Sequence, residues 1–534
     1  MKIGGLLIVS AFPVLNTQSF GHNGRDPNMT RVRMANHNLE RVVMKSGSLT
    51  LAMPVKTTKE KLSKIKSGAF SRGLALARVS VSAGARAASH AVGTIFASET
   101  QKTESFRAML LAQMEFLTKE LGQLKGSLMK VGQLISLYGE HFLPPEVNAV
   151  LKSLQNQSPP LEWNAIEKVI RRQLSQERLN ELEIDPEPIA SASLGQVHRA
   201  KRKSDGKWLA MKIQYPGVDQ AIESDLKALR SILSVSKLIP KGPRYDELFK
   251  EVRYMLYQEV DYQRELEITQ EFYKWLSDDP RYIVPEVIPE YSTKRILTTS
   301  LEEGVPVDSP EVKGLSQERR NALGVAFIQL YFREVFEFSA VQTDPHFGNY
   351  RVRLGEDGEA DRLILFDFGA VRKLSKTFGD SYRQMVRGSF YHDSDLISEA
   401  ASKLGFLRLE DTPEQRAHFM ELCFLILEPF YIPGSAIAPA DLPPELYNTD
   451  GHYLWSKSDL PKRVAKKGAE FILAFRLRTP PREVVFLDRK LGGVFIFLSV
   501  LDVRTDIREA TEAYTALIPK FTSTDSEPPP TQEI

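Results

Sequence analysis

The stretch from Gln342 to Ala370, QTDPHFGNYRVRLGEDGEADRLILFDFGA, constrains this chain more than any other. Asp344 and Asn349 stand on a loop rich in Pro and Gly. An apolar run, Leu363 to Phe366, then ends on Asp367-Phe368-Gly369. Phosphoryl transfer needs a carboxylate near the nucleophile's proton. It also needs an amide oxygen and a second carboxylate to hold magnesium against the phosphates. Asp344 fits the first role, and Asn349 and Asp367 fit the second. A hairpin-like turn, Gly355 to Gly358, joins the two halves and supports that reading; the rival is a surface β-hairpin with incidental acids. It leaves unexplained why Asp367 closes a buried strand.

Other stretches fit a two-lobed α+β fold of the protein-kinase type. A hairpin is predicted over IASASLGQVHRAKRKSDGKWLAMKIQYPG, turning at Ser204-Asp205-Gly206. Its second strand carries Lys212 in LAMKIQ, close to the strand whose Lys touches nucleotide phosphates in kinases. Its first strand lies where a kinase has its glycine loop. There Ala190, Ala192, Gly195 and Val197 take the motif positions, with Ser193 between them. Two of three glycines are thus alanines, whose Cβ atoms penalise positive φ and hold backbone N–H groups away from phosphate. A helix is predicted over Tyr245 to Trp275, carrying EVDYQRELE. Either Glu259 or Glu265 of that helix could hold Lys212 in place. Strands are expected at Ile283–Ile288 and Arg295–Leu301. Glu302–Pro306 reads as the hinge where backbone groups would hold adenine. Helices follow at Phe378–Phe390, Leu396–Leu404, Pro413–Glu428, Pro461–Phe475 and Pro481–Val503. The last is apolar, and a core helix is the reading preferred to membrane docking.

Before this core lie two helical patterns. One, within 68–97, is amphipathic and rich in Ala, Ser and Gly, and suits an acidic membrane surface or packing against the body. The other runs from Leu110 to Tyr138 and ends at Pro144-Pro145. Gly122 and Gly126 give it a bare face, and Lys130 and Gln133 follow at the next turns. On periodicity alone, a solvent-facing pair on an ordinary core helix is preferred to a cation and an amide presented where the helix packs tightly. The expected division is a basic arm (1–66), a helical extension (67–157), a small β-rich lobe (158–303), a helical lobe (304–515) and a tail (516–534).

Composition narrows the function. Residues 1–100 carry 14 Lys/Arg against 4 Asp/Glu; with a total of +2, the remainder carries −8. A basic arm on an acidic body favours contact with an anionic surface. The lone Cys423 excludes an intramolecular disulfide framework and a cysteine-built zinc site, and its apolar helical setting predicts a buried, inert thiol. His198 and His346 read as structural or phosphate-near rather than as metal ligands. No nucleic-acid module is evident. No run reaches the ~18–20 apolar residues of a transmembrane helix. The opening MKIGGLLIVSAFPVLNTQ resembles a weak export signal broken by Pro13, and is read as non-signal. The expected location is cytoplasmic or peripheral on the inner face of a membrane.

The motifs MKVGQLISLYGEHFLPPE, IASASLGQVHRA, LAMKIQYPGV, EVDYQRE, QTDPHFGNY and LFDFGA together resemble the UbiB (AarF-domain) family of atypical kinase-like proteins. The resemblance spans roughly residues 100–505. It implies ATP or ADP with Mg2+ as ligands, and ATPase rather than ordinary protein-kinase behaviour. It also implies a part in coenzyme Q or other isoprenoid-lipid metabolism, alongside quinone lipids and lipid-biosynthesis enzymes. A homodimer is among the partners considered. By position, Lys130, Gly132 and Gln133 match the family's Lys-x-Gly-Gln signature, on a helix that covers the peptide groove. Glu259 and Asp261 match the Glu-x-Asp pair that engages that Lys, which leaves Glu265 for Lys212. Ala190 to Ser193 match the alanine-rich loop, with Ser191 where some members have Ala. No Ala-Pro-Glu signature follows Asp367. The rival functions are an authentic protein or small-molecule kinase and a nucleotide-binding scaffold without catalysis.

Overall fold

The structure is a computed structural model that describes residues 130–132, 134–135, 160–235, 242–356, 359–435, 438–439, 442–474 and 482–516. The basic arm, Gln133 and the helical pattern at 68–97 lie outside the described residues.

The first lobe is built on an antiparallel sheet in the order β1 (Leu182–Ser191), β2 (Gly195–Arg202), β3 (Trp208–Gln214) and β5 (Ile296–Ser300). Leu209, Met211 and Ile213 alternate along β3 and are buried, so Lys212 points to the other face. The buried side meets Ile166, Val169 and Ile170 of α1 (Trp163–Gln173). The turn between β2 and β3 has Gly206 at φ 71° and is held by Arg202 on the Asp205 carboxylate. β1 starts well before Ile189, where the sequence places the hairpin. Pro186 and Pro188 mask the strand, but β1 is an edge, and register shifts between Ile184 and Ala190 absorb them. α2 (Val218–Val235) follows β3.

The helix expected over Tyr245–Trp275 is two helices, α3 (Pro243–Glu259) and α4 (Tyr262–Leu276). Asp261 leaves helical geometry at φ −91°, ψ 81°, and its carboxylate accepts from the Arg264 N–H at 3.1 Å as an N-cap. Gln214 Nε2 donates to the Val260 carbonyl at the break. Apolar spacing runs through the junction without a Pro or Gly, which is why the sequence hides it. The strand expected at Ile283–Ile288 shrinks to β4 (Tyr282–Ile283), because Pro285 and Pro289 remove ladder donors. Val287 keeps a single bridge to Thr299.

The chain leaves the first sheet after Leu301. A Cβ at Gly304 would lie 2.7 Å from Ile364 and 2.8 Å from the Val352 carbonyl, so only glycine lets the crossing lie this close. The second lobe holds a sheet in the order β4, β9 (Arg362–Leu365), β8 (Tyr350–Arg353) and β6 (Val305–Pro306). It also holds the pair β7 (Ala340–Gln342) and β10 (Val371–Lys373). Its core is α5 (Gln317–Phe336), surrounded by α6 (Lys376–Tyr391), α7 (Ser394–Lys403), α8 (Pro413–Ile426), α9 (Leu460–Ala474), α10 (Arg482–Val500) and α11 (Ile507–Glu512). The α10 helix is a core helix: Phe497 stacks on Phe327 at 4.2 Å and meets Tyr350 edge-on at 5.0 Å. Among the described residues no helix is long and apolar enough to cross a membrane.

Candidate active site

The cleft between the lobes brings together Lys212, Glu265 and Asp367. Lys212 of β3 lies opposite Val197 of β2 and Leu297 of β5. Its ammonium donates to both Glu265 oxygens, at 2.7 and 2.9 Å, and to Asp367 Oδ2 at 3.3 Å. Glu265 stands in the first turn of α4, and its side chain is only 3% exposed. Burial pushes its carboxyl up to about 7, against the pull of Lys212. Burial would lower Lys212, but Asp367 and Glu265 outweigh it and hold the ammonium protonated. Of the two assignments that the spacing leaves open, Glu265 is the partner of Lys212.

Asp367 ends the run from β9 in the left-handed region, at φ 59°. Its Oδ1 accepts from the Gly369 N–H at 3.2 Å. Desolvation in the cleft would raise its carboxyl, but Lys212 and Lys130 hold it below the usual carboxylate range. With its side chain 42% exposed, it remains open to a cation. Phe368 turns into the core against Phe272 of α4, at 4.6 Å. Arg264 of α4 donates to the carbonyls of Gly369 (2.8 Å) and Val371 (2.5 Å), so the helix that bears Glu265 also grips the loop that bears Asp367.

Asp344 follows β7. Asn349 Nδ2 donates to its carbonyl at 3.0 Å, which leaves Asn349 Oδ1 as an acceptor. Gln342 joins the two loops: its Nε2 donates to the carbonyls of Asp344 (3.0 Å) and Asp367 (3.2 Å). Tyr350 donates to Gln342 Oε1 at 3.3 Å, and Lys490 of α10 donates to Tyr350 at 2.9 Å while pairing with buried Glu334. Motif reading gave no role to Gln342, Arg264, Glu334 or Lys490. Gln342 sits inside the marked stretch, but α10 is far away in sequence and carries no spacing signal.

Lys130 is helical and buried, with its ammonium 2.5 Å from Glu259 at the end of α3. Burial alone would lower its pKa; the carboxylates of Glu259, Asp344 and Asp367 outweigh this and raise it. The Glu-x-Asp pair therefore divides: Glu259 takes the Lys130 ammonium, and the Asp261 carboxylate caps α4. Ala190 pairs with Val197, and Ala192 N–H donates to the Gly195 carbonyl at 2.8 Å, which closes a tight tip at Ser193. A Cβ at Gly195 would lie 2.6 Å from the Ile213 carbonyl and 2.8 Å from the Tyr262 hydroxyl. His198 is a structural residue, buried with Nδ1 2.7 Å from the Asp185 carbonyl. His346 Nδ1 accepts from the Gly348 N–H.

Residues 153–401 match the ABC1 atypical kinase-like domain family. A rat protein named atypical kinase COQ8B, mitochondrial, is 30% identical over 399 residues, which cover 74% of this chain and 71% of that protein. This chain belongs to the ABC1 atypical kinase-like family. Atypical kinase COQ8, mitochondrial, of Saccharomyces cerevisiae is 31% identical over 405 residues, 75% of this chain and 76% of that one. A solved chain titled as the complex structure of Rv3197-erythromycin from Mycobacterium tuberculosis aligns with a TM-score of 0.47 at 24% identity, covering 79% of this chain and 100% of that chain. In this ABC1 kinase-like chain, Asp367 and Asn349 offer two hard oxygen donors. That suits magnesium, which takes few protein ligands and completes its shell with phosphate and water.

Proposed function

We propose that this chain is a magnesium-dependent, ATP-binding ATPase of the atypical kinase type, supporting ubiquinone or other isoprenoid-lipid metabolism. The observation that carries this reading is the contact of one ammonium, Lys212, with both Glu265 and Asp367 across the cleft. A cation and a carboxylate this close would suit the binding of a phosphate and of its metal ion. Lys212 would take phosphate oxygens of ATP or ADP, and Asn349 and Asp367 would hold the magnesium. When bound, that ion supplies charge neutralisation at the phosphates. Asp344 would orient the attacking water. The backbone at 302–306 would take adenine, and the tip from Ala190 to Ser193 would cover the phosphates.

The Lys130 ammonium among Glu259, Asp344 and Asp367 supports a second element of this proposal. The helix that bears it would fill the groove that a peptide acceptor needs, and water would then be the acceptor. The names of the mitochondrial COQ8 relatives support the quinone reading. The sequence boundaries at 66, 157, 303 and 515, and an acidic membrane surface bound through residues 1–100, remain parts of the proposal.

Gamma-labelled ATP tests it. Inorganic phosphate released without an acceptor supports the ATPase, and stoichiometric labelling of a protein or small molecule replaces it with a kinase. Full cellular function of Asp344→Asn would leave a scaffold. Flotation with acidic liposomes, with and without residues 1–100, checks the membrane contact.

A further inference from the structure

Arg489 lies 145 positions beyond Asp344 and outside every motif, yet its Nη2 donates to Asp344 Oδ1 at 2.7 Å. The helix that carries it cannot drift from the loop. One residue along α10, Lys490 is buried on Glu334 and Tyr350, and Tyr350 directly follows Asn349. A turn further on, Gly493 faces Pro345, the neighbour of Asp344; a Cβ there would lie 2.2 Å from Pro345 Cβ. Two contacts that follow Arg489 along α10 thus hold it against the loop that carries Asp344.

The two oxygens of Asp344 are left unequal. Oδ1 is taken by a guanidinium, whereas among the described residues Oδ2 meets only Asn349 Nδ2 at 3.5 Å, the outer limit of a hydrogen bond. We propose that Arg489 is a positioning residue for phosphoryl transfer: it anchors Asp344 by one oxygen and so presents the other to the attacking water. In that step the water O–H passes its proton towards Oδ2 as the oxygen bonds to the γ-phosphorus. The bond from that phosphorus to the bridging oxygen breaks, and its electron pair leaves with ADP. A planar, permanently charged fork suits the task, because it fixes the direction of the carboxylate as well as its charge. The inference rests on the phosphoryl-transfer reading of the cleft.

The test uses the full chain with Mg-ATP. Arg489→Ala is expected to lower kcat about 100-fold, the scale of a misplaced catalytic group, with KM for ATP and calorimetric ADP affinity within about twofold. Arg489→Lys keeps more activity than Arg489→Ala, and added methylguanidine restores part of the loss. In an Asp344→Asn background, Arg489→Ala costs little further, because the two act as one unit. Thermal melting confirms that each variant is folded; if Arg489→Ala is not, the comparison of Arg489→Lys with wild type in both backgrounds carries the test. Wild-type kcat in Arg489→Ala, or equal multiplicative losses with and without Asp344, overturns the inference alone. A wild-type chain that binds nucleotide but neither releases nor transfers phosphate overturns the phosphoryl-transfer reading and this inference together.

Discussion

The Lys130 ammonium stands 2.5 Å from the Glu259 carboxylate, and the two side chains are 11% and 23% exposed. Breaking the pair leaves Glu259 without its cation and opens the space beside Asp344. Lys130→Ala is therefore expected to raise self-labelling by γ-labelled ATP about tenfold, equivalent to about 1.4 kcal/mol of barrier. Ala192→Gly, which frees the tip over the phosphates, should act in the same direction. Unchanged labelling in both variants would remove the basis for an occluded groove.

The Glu334–Lys490 pair is buried on both sides, at 1% and 2% exposure. Lys490→Met strands a carboxylate in the core, a change that costs ~3–5 kcal/mol in comparable buried pairs. Urea unfolding of Lys490→Met beside the double variant Glu334→Gln/Lys490→Met measures this. The double variant should recover most of the loss; equal destabilisation in both would mean that lost packing, rather than the stranded charge, sets the effect.

Cys423 lies on α8 against Phe419 and Leu427, and burial pushes its thiol up to about 12. Since the thiolate is the nucleophile, the native chain at pH 8 should react with iodoacetamide about a thousandfold more slowly than an unperturbed thiol. In urea it should react at the ordinary rate. Fast labelling of the folded chain would show that the α8 face opens in solution.

Much of this site is legible in the sequence because its parts lie in short local patterns. Asp344, Asn349 and Asp367 sit at fixed spacings on one hairpin, and the alternation in LAMKIQ puts Lys212 on the cleft side of β3. The limits are equally physical. The break at Val260–Asp261 is made by a side-chain cap, with no helix breaker to announce it. β1 is hidden by prolines that an edge strand tolerates. Arg489 and Lys490 reach the site only because α10 packs along α5, and a contact across so many residues leaves no mark on local periodicity. Gln342 reads as a flanking residue in the sequence, since its link between two carbonyls exists only when both loops are folded.

Asp367 carries its carboxylate on a backbone at φ 59°, a region that short polar side chains tolerate better than long ones. Replacement by Glu would therefore be no conservative change. It preserves the charge while adding a methylene and removing the residue type best suited to that twist, so the anion would overshoot its position as the loop beneath it loosened. The choice between two acids here is made by the main chain before any ion arrives.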